Sequence, residues 1–432
     1  MAQFTEHGMR RMLVDEVHAR PFESLRAPAR ASHMAWLTGE GTAEHDRAHL
    51  ADLCRHFGAA PPAAEANHHS ADFGPFRCRW ERHSEFTSYT FICDGASEVP
   101  FDAPATELIP GDWLAGSPGE LLIACHVVFE AKGKGQAGVS RLHKCFAEDS
   151  LAGSVMAGGN AEAWTDFRLH EDGFGRILVR DAGLRARQAG RLVQRLLEIE
   201  TYRIMALLAL PLARAAGPEI SDTAGELTEI TERMTRLEDL EDQRSMLEQL
   251  TGLAARMERL ASTNTYRFSA AAAYYALTEK RIAELREERI EGLQTIGEFM
   301  ERRMAPAMRS CEAIAARQDR LAERIGRATA LLRTRVDIAM EEQNRNLLRS
   351  MDRRARLQLR LQETVEGLSV AAISYYLVGL VGYAAKGAAA AGIAVPVDLV
   401  TGLSIPVVIL LVWAAVRKVR KRLGNDGAGA AR

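Results

Sequence analysis

The sequence predicts an α+β protein in three parts, and three observations predict it. Residues 1 to 183 hold short β-type runs interrupted at close intervals by turn residues, the signature of a mixed α/β domain. From residue 184 the apolar residues recur with a period of about 3.5 to 3.6, which is helical, and strand signals all but cease. Near the C-terminus two charge-free apolar runs, Gly367–Ala385 and Leu399–Val416, lie close together. Each has roughly the 18 to 20 residues that a helix needs to cross about 30 Å of hydrocarbon. The predicted parts are therefore a mixed domain (1–183), a stalk of long helices (184–362), a two-helix transmembrane hairpin with its basic flank (363–422) and a flexible tail (423–432).

In the first part an amphipathic helix is expected over Glu6–His18, ending before Pro21, then a strand over His33–Leu37 and a helix over Ala43–Phe57. Phe76–Trp80 and Thr87–Cys93 read as an antiparallel pair. Leu121–Phe129 is nearly all apolar and suits the centre of a sheet, and Leu142–Phe146, Ala163–Leu169 and Arg176–Arg180 read as further strands.

The helical part begins with Leu184–Leu210, broken at Pro211 or at Gly217 and Pro218, with Ser221, Asp222 and Thr223 offering an N-cap for the next helix. In that helix Leu227, Ile230, Met234, Leu237, Leu240, Leu247, Leu250, Leu253, Met257 and Leu260 recur mostly at three- and four-residue steps, a coiled-coil-like seam that requires a partner helix. Ser262–Thr265 reads as a turn, followed by a third helix to Met304. Pro306 marks a break, and a fourth helix continues from Met308 past Gln362 into the first apolar run.

Basic residues flank both apolar runs: Arg353, Arg354, Arg356 and Arg360 before the first, and Arg417, Lys418, Arg420, Lys421 and Arg422 after the second. Basic segments stay on the cytoplasmic side, so both termini are expected inside, in the inner membrane, with the lipid bilayer as the first partner. One face of the first run carries Ser369, Ala372, Tyr376, Gly379 and Tyr383, with Glu366 at its cytoplasmic mouth. Such a face suits helix packing in a homo-oligomer, or the lining of a pore for a divalent cation.

The formal net charge of −2 and a pI near 6.7 argue against a nucleic-acid partner. Six cysteines without a C-x-x-C pair suit a reducing compartment, and the charged N-terminus has no apolar core of a signal peptide. No metal, cofactor or enzyme motif is present: His68 and His69 lack the spacing of metal ligands, and Gly133, Gly135 and Gly138 lack the ending of a phosphate loop. The sharpest candidate for ligand binding joins Glu16, His18 and Arg20 to Glu81, His83 and Glu85. If these stretches meet, they supply imidazole, carboxylate and guanidinium groups to a polar ligand, although alternating charges along an exposed strand and helix end have the same pattern.

Four stretches, DEVHARPF from Asp15, WERHSEFTSYTF from Trp80, LVQRLLEIETYRIMALLALP from Leu192 and VEGLSVAAISYYLVGLVGY from Val365, resemble a bacterial family of membrane-anchored proteins, number 3422 among the domains of unknown function. That resemblance implies membrane anchoring and no particular activity. In architecture the chain is also similar to CorA-type divalent-cation channels. Those channels close their first span with Gly-Met-Asn, whereas this chain has Gly382, Tyr383 and Ala384 followed by Lys386.

Overall fold

The structure is a computed structural model that describes residues 6–11, 13–14, 22–39, 41–131, 139–235, 239–392 and 396–428. It shows a mixed α/β domain followed by long helices that include a long C-terminal pair. The chain divides into two compact units, residues 1–236 with 246–329, and residues 237–245 with 330–432.

The first unit is built on a nine-stranded sheet. Its strands are β1 (Ala29–Leu37), β2 (His68–Asp72), β3 (Arg77–Arg82), β4 (Phe86–Asp94), β5 (Glu120–Ala131), β6 (Ala152–Met156), β7 (Ala161–Thr165), β8 (Gly175–Asp181) and β9 (Glu288–Arg289). They lie in the order β2-β3-β4-β1-β5-β8-β7-β6-β9, and only β5 and β8 pair in parallel. Strand β1 is central because both its edges are used along its whole length, by β4 and by β5.

Side chains alternate across a strand, and the two faces of this sheet differ in kind. On one face Met34, Trp36, Trp80, Tyr89 and Phe91 meet Leu50, Leu53 and Cys54 of helix α1 (Ala43–Phe57). Farther along it, beyond the short α2 (Gly111–Ala115), Val128, Trp164 and Leu178 meet α3 (Val139–Cys145). The opposite face is lined by small residues, among them Ala29, Ala31, Ala161 and Ala163, which let a helix lie close. That helix is α4 (Ala186–Leu207), whose Ala189, Leu192, Val193 and Leu196 recur at helical steps and point at the sheet. The result is a helix–sheet–helix sandwich with a core on each side.

The approach is closest at Gly190. A Cβ there would stand 1.6 Å from the carbonyl oxygen of Glu23, so only glycine lets residues 23–25 cross the helix. The Leu25 amide then donates to the Ala186 carbonyl at 3.0 Å.

Several expectations are corrected. The run Leu142–Phe146 is helical: Leu142, Cys145 and Phe146 stand three and four residues apart and are buried together, which only a helix allows. The break expected from Pro211 or from Gly217 and Pro218 falls at Leu208: α4 ends at Leu207, four residues before Pro211, and α5 (Ala209–Met234) carries that proline in its first turn, where its missing N–H costs no intrahelical bond, while Pro218 lies inside α5. Ser221 caps nothing, since its hydroxyl donates to the Gly217 carbonyl inside α5. The turn expected at Ser262–Thr265 is absent: α6 runs unbroken from Leu240 to Leu285, and Thr263 and Thr265 return their hydroxyls to the carbonyls of Arg259 and Ala261.

The seam from Leu227 to Leu260 is likewise two helices. With α5 ending at Met234 and α6 starting at Leu240, the seam folds back on itself, and Arg233 reaches Gln249 while Arg256 pairs with Glu226. The partner helix comes from the same chain. The third helix, expected to reach Met304, stops at Leu285; Thr295 and Glu298 form a capping box that starts α7 (Ile296–Arg303).

The second unit holds residues 330–390 of α8 (Ala305–Ala390), which passes through residue 362 without a break, as expected, and α9 (Val397–Ala428) follows it. Gly382 faces Thr401, and Ser374, Ala385 and Val412 are buried.

Candidate functional site

A cavity of about 240 Å³ lies between the small-residue face of the sheet and α4. Strand register builds its floor. His33 of β1 stands opposite Thr90 of β4, and Thr90 stands opposite Arg79 of β3, so three polar side chains form a row across adjacent strands. Two residues along, Ser88 and Glu81 are paired in the next row. Helix α4 roofs the cavity with Val193, Gln194, Leu197, Glu198, Thr201 and Tyr202, while Arg281 enters from α6 and Glu23 from the segment that crosses Gly190.

The imidazole of His33 is fixed from two sides. Its Nδ1 lies 2.8 Å from Thr90 Oγ1 and its Nε2 3.1 Å from Thr201 Oγ1. Because Thr201 donates its hydroxyl to the Leu197 carbonyl at 2.8 Å, it accepts from Nε2–H, and Nδ1 accepts from Thr90. A neutral ring is the form that this arrangement suits. Burial first, and the Arg79 charge second, pull the His33 pKa down to about 3.

Charges in the cavity come in pairs. Arg79 meets Glu81 at 2.6 Å and both are largely buried. Arg281 pairs with Glu198 and, at 3.1 Å, with Glu284. Gln194 donates to Glu198 at 2.7 Å, and Glu23 meets Arg77 at 3.4 Å.

Of the residues singled out from sequence, Glu81 and His83 line the cavity. Glu85 turns elsewhere and takes a bidentate pair from Arg267 of α6, at 2.7 and 3.0 Å. Burial, then the Glu85 charge, holds the nearby Tyr274 hydroxyl above its ordinary pKa. Glu16, His18, Arg20 and Gly133, Gly135 and Gly138 lie outside the described residues. His33, Arg79, Ser88, Thr90, Thr201 and Arg281 were not singled out. Their signal is polar residues at alternate positions of strands whose opposite face is apolar: His33 among Ala29, Ala31 and Ala35, then Arg79, Glu81 and His83, then Ser88 and Thr90. Among the described residues no group of three or more His, Cys, Asp or Glu is placed to hold a metal ion.

In the C-terminal pair, Ser374 and Ala385 are buried, whereas Ser369, Ala372, Tyr376, Gly379 and Tyr383 are exposed and Glu366 is half-buried. That stripe is therefore not the buried face of α8 within its unit.

A second buried histidine, His126, accepts or donates at 2.8 Å with Ser32 and stacks on Phe174 on the opposite face. Burial draws its pKa down to about 4, against the opposing pull of Asp172.

A family model described as "Protein of unknown function (DUF3422)" matches residues 5–423, nearly the whole chain. The chain belongs to the DUF3422 family. No curated protein matches it. Within this DUF3422 chain, the stretch from Trp80 to Phe91 supplies floor residues of the cavity, and the stretch from Leu192 to Pro211 supplies most of its roof.

The low pKa of His33 fixes a pH dependence. An unfolded imidazole titrates near 6.5 and the folded one near 3, so between these values the unfolded chain binds one more proton. Stability contributed by the neutral ring is therefore complete above pH 6.5 and is lost as pH falls toward 3. Between pH 7.5 and pH 5 this loss is about 2 kcal/mol, at about 1.4 kcal/mol per pH unit below 6.5. Denaturant titrations of the full chain in detergent at the two pH values check it: His33→Gln should lose less stability on acidification than the native chain by that amount. His126 contributes alike to both, so equal losses would contradict the assignment.

Proposed function

We propose that the protein is a membrane-anchored, non-enzymatic ligand-binding protein of the bacterial inner membrane, a sensor whose α/β domain takes up a small polar molecule. The observation that carries this reading is the polar row His33–Thr90–Arg79 beneath α4, where the same helix elsewhere packs against alanines. Burying polar groups is costly unless they are hydrogen-bonded or serve a ligand, and a sheet–helix interface needs none of them for packing. His33 supports binding over catalysis, since both ring nitrogens are engaged by threonines and the ring stays uncharged at neutral pH.

Anchoring rests on two helices that are long and apolar enough to cross a bilayer. Their most apolar windows have mean hydropathies of 1.6 and 2.5, and only 11% and 6% of those windows are buried. Exposed Leu368, Tyr375, Leu380, Leu403 and Leu410 need a solvent other than water. Basic residues outside both runs favour cytoplasmic termini in this reading. The exposed stripe of Ser369, Ala372, Tyr376, Gly379 and Tyr383 suits a second copy, because small residues let helices approach closely in lipid.

The test is thermal unfolding of the full chain in detergent, with and without a dialysable extract of small molecules from the cells that make it. A ligand that binds only the folded state raises the midpoint. We expect a rise with the native chain and a smaller one with Thr90→Val, which removes one hydroxyl from the floor. No rise at any extract concentration would overturn the reading.

A further inference from the structure

Given that the cavity is a ligand site, the geometry points to its ligand class: a small zwitterion with one ammonium, one carboxylate and an apolar side chain, the pattern of an α-amino acid with an uncharged side chain. Charge comes first in the argument. The lining holds two guanidinium groups, Arg79 and Arg281, and three carboxylates, Glu23, Glu81 and Glu198. Each guanidinium is already paired inside the cavity, Arg79 with Glu81 and Arg281 with Glu198, and Glu23 is met by Arg77.

A net anion entering this lining would compete with a carboxylate for its guanidinium and weaken a largely buried ion pair. A net cation would do the reverse. A zwitterion does neither: its carboxylate meets a guanidinium while its ammonium meets the carboxylate beside it, and every charge keeps an opposite neighbour. Thr90 and Thr201 are held by His33, and Gln194 by Glu198, so the polar lining is preset before a ligand enters.

Apolar surface separates a zwitterion from a polyol. Leu25, Ile92, Val193 and Leu197 line the same space, with Phe86 beyond them. A polyol has hydroxyls on every side and would bury some of them against these groups without partners. An amino acid has one polar end and can lay its side chain there. Size agrees, because a cavity of about 240 Å³ has room for a small molecule of amino-acid dimensions.

Isothermal titration calorimetry on the full chain in nanodiscs tests the proposal. The probes are the α-amino acids with uncharged side chains, succinate, putrescine and glucose. At least one amino acid should give a saturable heat. The methyl ester and the N-acetyl derivative of that amino acid should each bind at least tenfold more weakly, because each removes one of the two charges. Arg79→Met should weaken binding by at least tenfold, while Arg256→Met, in the α5–α6 hairpin, should leave it unchanged. The derivatives need no mutant to fold, so they decide the matter if Arg79→Met does not. Binding of succinate, putrescine or glucose in preference to every amino acid would overturn the proposal, as would equal binding of the ester and the acid. If the cell extract raises the melting midpoint and no amino acid does, the ligand class alone is wrong; if neither does, the cavity is no ligand site.

Discussion

Arg267→Ala is expected to lower the unfolding free energy by about 3 kcal/mol, the lower end of the range for breaking a largely buried ion pair. The guanidinium of Arg267 donates two parallel hydrogen bonds to the Glu85 carboxylate, at 2.7 and 3.0 Å, and the side chains are only 14% and 11% exposed. This pair joins α6 to the turn between β3 and β4, the same turn that positions His83 at the cavity. Alanine at 267 leaves the carboxylate beside Tyr274 and Phe86 without its cation. The double variant Arg267→Ala, Glu85→Ala removes both charges together, so it should recover part of the loss. Denaturant titration of the four proteins gives the coupling directly. Single variants that each cost less than about 1 kcal/mol, with no coupling between them, would show that the pair behaves like a solvated surface bridge.

How far the fold is legible in the sequence depends on which physical signal each element carries. Strands β1, β4 and β5 are legible because they join long apolar or β-branched runs to clear turns. Helix α3 is not, since Leu142, Cys145 and the following Phe146 fit a short strand as well as a helical turn, and only the shared burial decides. The end of α5 and the start of α6 are illegible for another reason: the sequence between Met234 and Leu240 reads TRLED, without glycine or proline, and helix propensity alone gives no signal to stop. Edge strand β2 has the sequence HHSAD, which carries no apolar alternation at all.

The candidate site was half legible. Glu81 and His83 stood out as charge beside imidazole, and they do line the cavity. Glu85, two residues from His83, belongs to the same alternating pattern, yet the chain turns between β3 and β4 and sends it to Arg267. His33 and Thr90 looked like ordinary strand residues. Their meaning depends on pairing, because only the β1–β4–β3 register sets them beside Arg79, and register between strands separated by about fifty residues is not written in either strand alone.

The second large effect concerns the C-terminal pair. Helices with 11% and 6% of their most apolar windows buried are long and apolar enough to cross a bilayer, and in the proposed reading lipid covers them. Lys386 lies 6.0 Å from the Tyr383 ring and Arg417 4.9 Å from the Trp413 ring, which sets a cation beside an aromatic residue near the end of each run, as residues at a membrane surface do. The account therefore expects the full chain to remain in the membrane pellet after a carbonate wash. It expects residue 391 outside and residue 350 inside.

Cysteine labelling in intact spheroplasts tests this most directly. The six native cysteines are buried, so an introduced one reports with little background. With a membrane-impermeant maleimide, Ala391→Cys should react in intact spheroplasts, and Ser350→Cys only after lysis. Reaction of both variants only after lysis, together with release of the chain by the carbonate wash, would contradict the membrane hairpin on which the account rests.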